Sequence, residues 1–186
     1  MDTKRGNWTI KQSTLKYDNP WITLTEYAVL NPNGGPGIYG EVHFKNLAIG
    51  VIPIDEDGNI YLVKQFRFVL DQESIEIPEG GGALNTDPLL SAQRELKEET
   101  GLTATYWEKF MELHLSNSVT DEKALVYLAK GLQHGTSEPE DTEDIAVIKL
   151  PLKEAYQMVI ENKITDAISV AAILKLQLIQ LENQFK

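Results

Sequence analysis

Apolar and polar residues alternate over residues 39–44, the period of a half-buried strand. Residues 21–30 read as a β segment ended by the Pro- and Gly-rich loop 31–37. Residues 1–45 as a whole read as short β segments with turns. A near-continuous apolar run follows at 47–54, then a turn at 55–59, then a second β-rich run at 60–68. Asp57 and Gly58 between the two runs predict a hairpin. Residues 74–78 read as a further short strand, and Gly80, Gly81 and Gly82 as a glycine-rich loop behind it.

The period then becomes helical. Asp87 is a favoured N-cap, and Pro88 is tolerated at the first helical position, where no N–H bond is needed. Leu89, Ala92 and Leu96 supply one apolar face, and Gly101 closes the helix where a left-handed residue is wanted. Strands are expected at 103–113 and 123–129, an acidic loop at 137–144, and a strand at 145–150. Two helices finish the chain, 152–161 and 165 to about 184. The second has apolar positions at Ile168, Ala171, Ala172, Leu174, Leu176, Leu178 and Leu181, and reads as a helix packed on the sheet. Strands and helices mixed in this order predict an α/β (α+β) sandwich around a mainly mixed sheet. The domain spans 46–186 behind a β-rich arm at 1–45.

Composition narrows the chemistry. With 186 residues the chain suffices for one cored domain with an appended arm. No cysteine is present, which removes disulfides, thiolate zinc sites and a cysteine nucleophile. The start has no apolar leader and no run is long enough to span a bilayer, so the cytoplasm is the expected compartment. A net charge of −11 argues against nucleic acid as the main partner. A small polyanion can still bind if metal cations bridge it to carboxylates.

Such carboxylates stand at Glu95, Glu98 and Glu99, spaced to converge on one strip of the helix. The Glu95–Glu99 pair repels, and all three lie towards the negative end of the helix dipole, where cations are favoured. A solvated acidic face is the bland alternative. Arg94 can pair with Glu98 one turn on, and the strand and glycines just upstream give the cluster a context. Oxygen donors of this kind suit Mg²⁺ or Mn²⁺ better than zinc.

The segment resembles the Nudix signature, G-x5-E-x7-R-E-U-x-E-E-x-G-U, with U a bulky aliphatic residue. Gly80, Arg94, Glu95, Leu96, Glu98, Glu99, Gly101 and Leu102 fall on its fixed positions, and Thr86 replaces its first glutamate. The resemblance implies that Glu95, Glu98 and Glu99 ligate metal, together with the backbone carbonyl of Glu79. The position of Thr86 mostly supports the loop, so its change is expected to alter loop stability or metal affinity without abolishing chemistry.

Residues 64–67, 76–80, 120–123 and 142–147 are similar to the ADP-ribose pyrophosphatase and nucleoside diphosphate sugar hydrolase group. That likeness implies a metal-dependent pyrophosphohydrolase in which Arg67 binds the diphosphate, with Glu76 and Gly80 also at the substrate and Arg94 in support. It also implies a late-loop carboxylate acting on the attacking water. Glu143 is the best match for that role, with Asp141 and Glu140 as competitors, and Glu98 is a further catalytic candidate. The N-terminal arm pairs with a second subunit in that group, which implies a homodimer. Members favouring ADP-ribose usually carry a proline shortly past the signature, where this chain has Ser116, Asn117, Ser118 and Val119. ADP-ribose leads as substrate, with GDP-mannose or another nucleoside diphosphate derivative as the alternative. From another class, a non-catalytic nucleotide-sugar sensor is set against the retention of all three glutamates.

Overall fold

The computed structural model describes residues 2–137 and 144–184. The chain divides into two compact units, residues Met1–Leu47 with His114–Lys123, and Ala48–Leu113 with Ala124–Lys186.

In the first unit, β1 (Thr3–Arg5), β2 (Trp8–Asp18), β3 (Ile22–Leu30) and β4 (Pro36–Phe44) form one antiparallel sheet in that order. The β3–β4 connection is closed by Asn31, whose side-chain oxygen accepts from the Asn33 and Gly35 amides, each at 3.0 Å. Residues 116–119 are pinned to β4. The Tyr39 hydroxyl donates to the Ser118 carbonyl at 2.7 Å, and the Val42 amide to the Val119 carbonyl at 2.9 Å.

The later elements are β5 (Asn46–Pro53), β6 (Asn59–Arg67), β7 (Gln72–Glu76), β8 (Glu79–Ala83), α1 (Pro88–Thr100), β9 (Leu102–His114), β10 (Lys123–His134), β11 (Ala146–Pro151), α2 (Leu152–Ile160) and α3 (Ala167–Gln184). They build a mixed sheet of order β8-β5-β10-β9 and an antiparallel sheet of order β11-β6-β7. β5 and β10 run parallel with Ile49 opposite Leu125 and Val51 opposite Tyr127, and side chains on both faces of these strands are buried. Burial on both faces is why residues 47–54 read as a continuous apolar run rather than an alternating one. Ile60, Leu62, Ile77, Leu96, Leu152 and Ile173 complete the core. Among the described residues, no helix is long and apolar enough to cross a membrane.

Several sequence expectations are corrected. The turn at Asp57 and Gly58 forms, with Gly58 at φ 80°, but β5 and β6 do not make a hairpin. They enter different sheets and share only the bridge between Ile54 and Ile60, because β5 pairs with β8 and β10 instead. The strand expected at 74–78 ends at Glu76, and the glycines read as a loop lie inside β8. Leu178 and Leu181, assigned to the packed side of the last helix, are exposed, whereas Ile168, Ala172, Ile173 and Leu176 are buried.

The β5–β6 turn is organised by Asp55. Its Oδ1 accepts from the Asp57 and Asn59 amides, and its Oδ2 pairs with Lys149 at 2.8 Å. Burial pushes this carboxyl up, but the Lys149 and Asn59 bonds outweigh it and hold the pKa at about 2 against an ordinary 3.8. A carboxyl depressed in the folded state adds stability above its unfolded pKa, and that contribution is lost as pH falls through the folded value. Asp55→Asn is therefore expected to be less stable than wild type at neutral pH, with the gap closing between pH 3.8 and about 2. Urea unfolding midpoints across that range check this, and a pH-independent gap contradicts it.

Candidate active site

Helix α1 is delimited by its own sequence. Asp87 accepts from the Leu89 amide at 3.0 Å, and Gly101 ends the helix in the left-handed region at φ 72°. A Cβ at residue 101 would also lie 2.8 Å from the Gly135 carbonyl oxygen, so backbone conformation and space both require glycine.

α1 packs against β8, and the glycines permit its closeness. A Cβ on Gly80 would collide with the Glu95 carboxyl, and one on Gly82 would sit 2.7 Å from the side chain of Ile49. The bare backbone of β8 is thus laid directly against the acidic strip of α1. Glu95 and Glu99 face inward, at 6% and 2% exposure, while Glu98 lies nearer the surface. Glu99 Oε2 accepts from the Glu79 amide at 2.9 Å, so the last turns of α1 and the start of β8 are tied together.

Arg94 bridges the strip. Its Nη2 lies 2.5 Å from Glu95 Oε1 and 2.9 Å from the Gly81 carbonyl oxygen, and its Nη1 lies 2.6 Å from Glu98 Oε2. Burial lowers the Arg94 pKa, but the two carboxylates outweigh it and keep the guanidinium charged. Among the described residues no three His, Asp or Glu side chains are gathered as a ready ion cluster, and Arg94 stands between two of the three glutamates. The donor chemistry nonetheless fits a hard divalent ion. The glutamates supply oxygen only, two of them already hold a cationic group, and Gly80 leaves a carboxylate against bare backbone.

A second cluster surrounds Arg67 at the end of β6. Its Nε lies 3.0 Å from both oxygens of Glu76, and its Nη2 lies 2.5 Å from Glu76 Oε2 and 2.8 Å from Glu79 Oε1. The Glu76 side chain is only 3% exposed, whereas that of Arg67 is 37% exposed. Burial lowers the Arg67 pKa, but Glu76, Glu79 and Asp166 raise it further. Glu79 is pushed well above the usual carboxylate range, first by burial and then by Asp166 and Glu76, and its Oε2 is buried without a hydrogen-bond partner. Arg67, Glu76, Glu79 and Asp166 line a cleft of about 540 Å³ with Ser74, Thr165, the exposed Phe66 of β6 and the exposed apolar turn Phe68, Val69 and Leu70.

Arg67, Glu76, Glu79, Gly80, Arg94, Glu95, Glu98 and Glu99 thus converge on the ends of β6 and β7, the start of β8 and the facing side of α1. Glu140, Asp141 and Glu143, proposed for the attacking water, lie outside the described residues. Thr86 sits in the turn before α1, its amide donating to the Ala83 carbonyl at 3.0 Å. Asp166 was not singled out from the sequence. An aspartate ahead of an apolar run signals a helix cap, but nothing local signals its proximity to Arg67 and Glu79.

Comparison with known proteins gives the same segment a relational meaning. Residues 44–171 match the NUDIX domain, and residues 8–42 match the nucleoside diphosphate sugar hydrolase N-terminal domain. The chain is 33% identical over 171 residues to an ADP-ribose pyrophosphatase of Mycobacterium tuberculosis, covering 89% of this chain and 81% of that protein. It is 35% identical over 133 residues to an ADP-ribose pyrophosphatase of Bacillus subtilis, covering 70% and 72%. The crystal structure of an ADP compounds hydrolase superposes with a TM-score of 0.85 over 98% of both chains at 19% identity, a likeness of fold.

Proposed function

The chain belongs to the Nudix family, and on that premise we propose that it hydrolyses the diphosphate bond of a nucleoside diphosphate sugar, with ADP-ribose as the leading substrate. The observation that carries this reading is the acidic strip of α1 laid against the glycine backbone of β8. The names of the relatives in Mycobacterium tuberculosis and Bacillus subtilis support the choice of ADP-ribose.

Nudix hydrolases generally work with a divalent metal ion. Here Glu95, Glu98, Glu99 and the Glu79 carbonyl would hold it, with Mg²⁺ or Mn²⁺ as the expected metal. When bound, such an ion neutralises diphosphate charge and acidifies a water molecule. The remaining work falls to the protein's own groups. Arg67 holds phosphate oxygens, and Glu76 fixes its guanidinium plane through paired contacts. Gly80, the substrate-side glycine of this strand, lets the Glu95 carboxylate lie against bare backbone, and Arg94 steadies Glu95 and Glu98. A carboxylate of the late loop, Glu143 ahead of Asp141 and Glu140, takes the proton from the attacking water, with Glu98 as the other candidate. Water adds across the phosphorus–oxygen–phosphorus bridge, releasing a nucleoside monophosphate and a sugar phosphate. We assign the reaction to a cytoplasmic homodimer joined through the N-terminal β-rich arm, residues 1–45, with the hydrolase domain at 46–186.

The test is a panel of ADP-ribose, GDP-mannose, other nucleoside diphosphate sugars, dinucleoside polyphosphates and nucleoside triphosphates, each with Mg²⁺ and with Mn²⁺. The expected result is metal-dependent release of a phosphomonoester pair, fastest from ADP-ribose. Faster cleavage of GDP-mannose moves the substrate assignment. Tight binding of a nucleotide sugar with no turnover under either metal makes the protein a sensor and ends the hydrolase reading.

A further inference from the structure

Residues 76–79 carry much of the proposed chemistry, and each is fastened separately. The Glu76 carboxylate grips Arg67, the Pro78 carbonyl accepts from the Val51 amide at 2.8 Å, and the Glu79 amide donates to Glu99 at 2.9 Å. The remaining fastening comes from a distant part of the chain. Ser169 Oγ accepts from the Ile77 amide at 2.9 Å across 92 positions of sequence, and both residues are fully buried. Ser169 is held in turn by the cap of its helix, where Asp166 Oδ2 accepts from the Ser169 amide at 2.7 Å. The neighbouring Ile168 approaches Gly50 from the same side as Ile77, so the first turn of α3 is packed as well as bonded to this segment.

A buried backbone amide without an acceptor is costly, and Ser169 is the acceptor that lets residue 77 run through the core between two working residues. From this geometry we infer that Ser169 is a positioning residue for the hydrolysis proposed above. Through the Ile77 amide it fixes the spacing between Glu76, which aims Arg67, and Glu79, whose backbone meets Glu99. Asp166 serves the same end by capping α3 at the cleft that Arg67 and Glu79 also line. The start of α3 is thereby part of the substrate-holding apparatus, although its serine touches no substrate. The inference rests on the hydrolase reading, since the spacing matters only if Arg67 and the glutamates act on one diphosphate.

The experiment compares wild type, Ser169→Ala, Ser169→Cys and the core control Val159→Ala, all assayed with saturating Mg²⁺ well below their melting temperatures. Amide hydrogen exchange is followed over residues 76–80. Ser169→Ala is expected to lose kcat by on the order of 10-fold to 100-fold, because small misplacements of positioning groups are amplified in rate. It is also expected to raise KM and to speed exchange at Ile77. Cysteine, similar in size but a weaker acceptor, should fall between alanine and wild type, and it carries the test if the alanine variant does not fold. Val159→Ala, destabilised in α2, should keep its kcat. An active wild type whose Ser169 variants keep kcat, or a control that loses as much, overturns the positioning role. A wild type that cleaves no nucleoside diphosphate overturns the hydrolase reading and this role with it.

Discussion

Glu99→Gln is expected to cut turnover at saturating Mg²⁺ on the order of 100-fold or more, the scale seen when one charge-stabilising group is removed from an active site, while leaving the fold intact. Glu99 is 2% exposed, and its Oε2 accepts from the Glu79 amide, a bond that the amide oxygen of glutamine can still make. The substitution preserves shape and the link to β8, removes the charge and puts an NH2 group in place of the buried Oε1. A purely structural Glu99 would keep its kcat below the melting temperature, whatever the new buried donor does to the melt. Turnover across a Mg²⁺ titration, read beside a thermal melt, separates the outcomes. Near-wild-type kcat with an unchanged melting curve would remove Glu99 from the metal-binding set.

Arg67→Ala is expected to cost both activity and stability. Removing the guanidinium leaves Glu76, only 3% exposed, and the largely buried Glu79 without their shared cation. Breaking a buried pair from one side costs about 3–5 kcal/mol, and the 37% exposure of the Arg67 side chain puts this case at the low end of that range. Arg67→Lys should recover part of the stability and less of the activity, because an ammonium cannot meet both Glu76 oxygens and a phosphate in one plane. Urea unfolding and KM for ADP-ribose provide the readings. An alanine variant as stable as wild type would mean that Glu76 and Glu79 are satisfied without Arg67.

These two sites differ in how legible they are. Glu95, Glu98 and Glu99 could be placed together from spacing alone, because a helix repeats every few residues and its caps, Asp87 and Gly101, lie beside it in the chain. Arg67 could be singled out by resemblance, but its grip on Glu76 and Glu79 depends on β6, β7 and β8 arriving at one place. The substitution of Thr86 at the first signature glutamate is accommodated in a turn whose amide bonds to Ala83.

The sequence by itself determined the helical boundaries of α1, the convergence of its glutamates, the strand-forming runs and the family to which they belong. All of these rest on local periodicity, cap chemistry and fixed spacing. Only the tertiary structure decided that β5 and β6 part into different sheets, since strand pairing is a contest among distant partners that a good turn at Gly58 does not settle. It also turned three glycines from a loop into a strand, two of which, Gly80 and Gly82, leave room for Glu95 and Ile49 from elsewhere in the chain. And it brought Asp166 to the cleft of Arg67 and Ser169 to Ile77, the latter across 92 positions of sequence, where no local pattern can signal a partner.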